Sequence, residues 1–119
     1  MVGLSRRRLL SCVVGCCLVG TMLLGGCAHQ DASALAAQAC ANVRHGIALY
    51  DRAGTTSGAT AHHFEAEALA AVRAAVPLAA IAAGEDTTWQ ALSANLSETN
   101  RVPLANLVPA LQDQCASAG

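Results

Sequence analysis

Apolar side chains recur at helical spacing along most of the chain beyond residue 32. Ala36, Cys40, Val43, Ile47 and Tyr50 follow one another at intervals of four, three, four and three, which places them on one face of a first helix. Gly54 is read as its stop, and residues 54–60, rich in Gly, Thr and Ser, as a loop with no apolar payload. Phe64, Ala68, Val72, Ala75 and Ala79 repeat the spacing in a second helix predicted from about residue 61 to 83, with Gly84 as its stop and a kink or break at Pro77. A third helix is predicted from Asp86 or Thr87, where Thr87-Thr88-Trp89-Gln90 reads as a capping box, and it presents Trp89, Leu92, Leu96 and Thr99. Pro103 suits the first turn of a fourth helix carrying Leu104, Leu107, Val108, Leu111 and Cys115, which Pro109 interrupts or bends.

No stretch alternates apolar and polar residues for long enough to make a strand, so the pattern predicts an all-α fold. Four amphipathic helices with short connections imply a small antiparallel four-helix bundle, and its core is rich in Ala. Such a core buries less apolar area per residue than a Leu-rich one, so close helix approach and a covalent staple are expected to compensate. Tyr50, Phe64 and Trp89 are the aromatic residues of the chain and are read as core.

The N-terminal segment has a different texture. Arg6-Arg7-Arg8 precedes an uncharged run over residues 9–24, and Leu24-Gly25-Gly26-Cys27 follows, the order of a basic region, an apolar region and a small-residue processing site. Leu24-Gly25-Gly26-Cys27 resembles the bacterial lipobox, in which the cysteine thiol takes a diacylglycerol and the small residues before it admit the peptidase. The resemblance implies removal of residues 1–26, lipid on Cys27, a short tether over 27–32 and a helical domain over 33–119. A leader retained as a membrane anchor leaves the domain on the same, outer side, because the arginines stay in the cytoplasm. Ser5-Arg6-Arg7-Arg8-Leu9-Leu10 resembles a twin-arginine export motif and equally suits the general secretion route. The signal, the Ala and Arg bias and the two late cysteines resemble small, uncharacterised lipoproteins of actinobacteria. That likeness implies an address at the outer face of the cell membrane and no activity.

The leader changes how cysteines and charges are counted. Cys12, Cys16 and Cys17 lie in its apolar run and Cys27 carries the lipid, leaving Cys40 and Cys115 as one pair in an oxidising compartment. They are expected to be bonded, which fits a bundle whose first and last helices are neighbours. From Cys27 onward four arginines face eight carboxylates, a net charge of −4 against −1 for the whole chain. A domain of that sign without a basic patch is not expected to hold nucleic acid or to be drawn to anionic lipid.

The densest group of potential ligands is His62-His63-Phe64-Glu65-Ala66-Glu67. On a helix His62 shares a face with Glu65 and His63 with Glu67, whereas adjacent histidines diverge by about 100°, so each face offers two ligands and a metal site is not expected. His45 lies roughly 12 Å along the first helix from its end and is not expected to join them. No nucleophile elbow, phosphate-cradling glycine loop or His-Glu-x-x-His segment occurs. The pattern therefore suggests a non-enzymatic, cofactor-free domain at the cell envelope that binds a protein or a small apolar ligand, a reading that an exposed apolar groove between helices, or a pocket closed over Trp89 and Phe64, would favour. The alternative is an envelope metal carrier or enzyme using residues 62–67.

Overall fold

The computed structural model describes residues 31–118. The segment read as a leader, Cys27 and the residues read as a tether up to Gln30 lie outside the described residues. Helix α1 spans Ala32–Gly54, α2 Gly58–Ala74, α3 Val76–Glu85, α4 Gln90–Ser97 and α5 Leu104–Ala116. Short 3₁₀ turns over Thr87–Trp89 and Glu98–Asn100 flank α4. α2 and α3 are the two halves of one bent helix, so the architecture is a small antiparallel four-helix bundle, and there are no strands among the described residues.

Where the helices begin and end is decided by caps. The Asp31 carboxylate accepts from the Ser33 amide at 3.0 Å, so α1 starts at Ala32, inside the segment expected as tether. At its other end the hydroxyls of Thr55 and Thr56 donate to the Arg52 carbonyl, and Thr56 also reaches that of Ala53, satisfying groups the last turn leaves open. The expected loop over 54–60 thus shrinks to Thr55, Thr56 and Ser57. Ser57 is extended and Gly58 takes φ +64°, so α2 starts three residues earlier than its apolar pattern suggests.

Pro77 has no amide hydrogen to offer the Arg73 carbonyl. The bend appears just before it, at Ala75, whose amide turns to the Val72 carbonyl at 3.1 Å, and Pro77 itself sits in the first turn of α3. Gly84 lies inside α3 and does not end it. The stop is Asp86, extended at φ −142°, and its carboxylate accepts from the Thr88 amide at 2.9 Å to start the next turn. The cap is therefore Asp86 and not a box begun by Thr87. The Thr88 amide, then the Thr88 hydroxyl, hold this carboxyl below the usual aspartate value, so the cap stays ionised into more acid solution. Pro103 occupies the position before α5, one residue outside its first turn, and α5 runs unbroken through Pro109, which lies on its exposed side.

The core is the set of faces the periodicity marks. Ala36, Ala39, Cys40, Val43, Val72, Ala75, Ala79, Ala82, Leu96 and Leu111 are fully buried, with Leu92, Leu107, Trp89 and Cys115 packed among them. Small side chains let the first two helices meet closely. A Cβ placed on Gly46 would lie 2.5 Å from Val72 Cγ2 and 2.8 Å from the Ala68 carbonyl oxygen. Because residues 55–57 reverse the chain between Gly46 and Val72, this contact also makes α1 and α2 antiparallel.

Cys40 and Cys115 are bonded, with Cα atoms 5.4 Å apart, joining α1 to the end of α5. Arg44, one turn beyond Cys40, donates to the Cys115 carbonyl at 2.8 Å, placing a cation and a donor at the C-terminal end of α5. A second arginine, Arg73, ties α2 to the turn after α4 through the Thr99 carbonyl at 3.3 Å.

Two stability measurements follow. With 75 residues of separation, loss of the crosslink in a Cys40→Ala/Cys115→Ala variant is expected to cost on the order of 4 kcal/mol in denaturant unfolding, and an unchanged midpoint would contradict it. Gly46→Ala gains about 1 kcal/mol of helix propensity but must push apart a buried valine and a backbone carbonyl, an overpacking cost of about 1–3 kcal/mol. The variant is expected to melt at a lower temperature than the parent, and a rise would show that α1 and α2 separate without penalty.

Candidate functional site

The described residues carrying potential metal ligands are arranged as the helical spacing dictates. His62 Nδ1 lies 3.4 Å from Glu65 Oε2 and His63 Nε2 lies 3.3 Å from Glu67 Oε1, each pair on its own side of α2 and all four side chains about half exposed or more. No three His, Cys, Asp or Glu side chains converge among the described residues. His45 is exposed on α1. These pairs are surface interactions in which solvent screens most of the attraction.

Phe64, expected in the core, is half-buried and lies outside the core cluster. The Arg52 guanidinium sits over its ring at 4.9 Å, and the His63 ring lies 6.2 Å away, tilted by 43°. Its position near the start of α2 faces the end of α1, beyond the reach of the other helices, so a cation covers the ring face that no apolar neighbour covers. Trp89 does enter the core, where its Nε1 has no hydrogen-bond partner. Neither residue is among those lining the groove between α1, α2 and α5.

An open cavity lies elsewhere among the described residues. A groove of about 460 Å³ lies where the end of α1, the middle of α2 and the start of α5 meet. Tyr50 contributes from α1, Glu65 and Leu69 from α2, the segment 99–101 from the turn after α4, and Val102, Pro103, Leu104 and Ala105 from the entry to α5. Tyr50, Leu69, Val102 and Leu104 are half-buried, so their apolar surface is shared between the core and the groove. Thr99 is buried with its hydroxyl donated to the Leu96 carbonyl at 2.8 Å, which leaves it a wall residue with no donor to spare. Charge sits at the rim, where Arg101 pairs with Glu98 at 2.6 Å and Glu65 with His62.

Chemically this is a small apolar trough with Arg101 and Glu65 in its lining as the charged groups. It suits an apolar group carrying a polar end, and it brings no nucleophile and base together. Tyr50 and Leu104 were assigned to helix faces by their spacing, but Leu69 was not, because it falls one position off the α2 face. A large apolar residue beside a face built largely of Ala is the signal that marks this groove. No family model, curated protein or solved structure matches the chain.

The histidine–carboxylate pairs offer two ligands each, which is too few for a tight site. Zinc titrated into the protein calorimetrically is expected to give no one-to-one binding at micromolar or tighter affinity, and such binding would reopen a metal-carrying role for residues 62–67.

Proposed function

We propose that this protein is a lipid-anchored binding domain on the outer face of the cell membrane, held by acylated Cys27 and non-enzymatic. The address rests on Leu24-Gly25-Gly26-Cys27 at the end of an uncharged run preceded by three arginines. The binding role rests on the groove between Tyr50, Leu69 and Leu104, where apolar side chains face an open cavity. Its dimensions suit a small apolar ligand or an apolar side chain projecting from an envelope protein.

The address and the groove are compatible in distance. Tyr50 lies about 19 residues along α1 from Asp31, roughly 28 Å at 1.5 Å per residue, so a domain held at Cys27 carries its groove at the end away from the bilayer. A partner in the envelope then reaches the groove without displacing the anchor.

The anchor is tested by mass. Protein recovered from the producing cell is expected to carry a diacylglycerol mass on Cys27, to accumulate as a heavier precursor in globomycin and to lose the modification in Cys27→Ser. An unmodified mature mass would overturn the anchored reading.

A further inference from the structure

The bent helix formed by α2 and α3 is more apolar than its packing requires. Its most apolar 18-residue stretch has a mean hydropathy of 1.6, yet 28% of that stretch is buried. One face, through Ala68, Val72, Ala75, Ala79 and Ala82, is committed to the bundle core. The opposite face of α3 presents Pro77, Ala80, Ile81 and Gly84 to solvent, and no charged residue occurs between Arg73 and Glu85. Ile81 is 49% exposed, the large hydrophobic residue most out of place on the described surface.

The position of this face along the bundle says what can cover it. Gly46 lies opposite Ala68 and Val72, and the helices are antiparallel. Stepping about 11 residues back along α1 and about 11 forward along the bent helix, roughly 16 Å in each case, brings Leu35 level with Ile81. The face therefore lies at the end of the bundle where the chain enters α1. Cys27 precedes Asp31 by four residues, a reach of at most about 14 Å. A lipid on Cys27 thus keeps the start of α1, and with it this end of the domain, within about 14 Å of the bilayer, nearer than the groove end.

We infer that the Pro77–Ile81–Gly84 face of α3 is a membrane-seating surface that lies in the headgroup boundary of the bilayer to which Cys27 is tethered. The inference rests on the anchored reading. The helix lies on the bilayer and does not span it, because its other face is fully buried against α1 and its first half carries His62, His63, Glu65, Glu67 and Arg73. A small patch is enough, since a short tether raises the effective concentration of the second contact to about millimolar. With a net charge of −4 beyond Cys27 and Glu85 and Asp86 beside the patch, the seat is apolar, not electrostatic. It therefore needs no anionic lipid and resists salt.

The test uses membrane-extracted protein reconstituted in phosphatidylcholine vesicles with brominated acyl chains. In Ile81→Trp the added indole is expected to emit at shorter wavelength and to be quenched by the bromines, in low and high salt alike. In Thr60→Trp, at the far end of the bundle, quenching is expected to match the parent, whose Trp89 is buried. Unquenched emission from the Ile81→Trp protein overturns the seat. So does quenching that vanishes in salt, or a crosslinked dimer through α3, which would make a second copy the occupant. The mass of the same protein reads the anchor separately. A lipidated chain whose added indole stays in water sinks the seat alone, whereas an unlipidated chain whose indole is quenched sinks the anchored reading and leaves the seat standing.

Discussion

The close meeting of α1 with its neighbours is the constraint on which the rest of the structure depends. A core in which six of the fully buried positions are Ala gains little area per residue, so its helices hold together only if their backbones approach. Gly46 supplies the approach between α1 and α2, where no side chain fits between Val72 and the Ala68 carbonyl. The Cys40–Cys115 bond supplies it between α1 and α5. The two contacts lie on one helix, less than two turns apart, with Arg44 between them bound to the Cys115 carbonyl. α1 is thereby fixed to both the second helix and the last, and the bend at Ala75 then lets α3 follow α1 back along its length.

Helix faces were legible in the sequence because burial on a helix has a period, and a period survives a change of residue type. Ala36, Cys40, Val43 and Ile47, Ala68 to Ala79, Leu92 to Thr99 and Leu107 to Cys115 all lie inward as spaced. The disulfide was legible for a different reason: on the reading of the first 27 residues as a leader ending in a lipidated cysteine, two cysteines remain, and they fall on helices that are neighbours in a bundle. Boundaries were less legible because caps compete locally. Ser57, Asp86 and Pro103 each take an extended backbone that the apolar pattern does not register, so α2 starts early, Gly84 is overrun and Pro103 stands just outside its helix.

The groove was the least legible feature, because it is assembled from four parts of the chain and depends on how helices terminate. Tyr50 and Phe64 carry the same sequence signal, a large aromatic on an apolar face near a helix end. Tyr50 meets the entry to α5 and lines a cavity, while Phe64 lies one turn too near the start of α2 and is covered by Arg52 instead. Leu69 was the readable exception. Arg44 was readable too, since any residue four positions after Cys40 shares its face and must fall beside Cys115 once the bond forms.

The groove end of the bundle and the outer face of α3 differ in how their residues are charged. The four histidine and glutamate side chains of residues 62–67, with Arg52 and Arg101, cluster where α1 ends and α2 begins, around the groove. The region from Ala74 to Gly84 carries no charge at all and lies level with the start of α1. Asp31, Glu85 and Asp86 border this face, so the apolar surface is one local patch on α3, and an exposed apolar patch marks a contact site when something covers it. A domain held by its first residues meets two environments, a polar one at its far end and a lipid boundary at its near end. On the anchored reading the same few residues between Cys27 and Asp31 account for both, because a tether that short leaves the bundle little freedom over which end faces the bilayer.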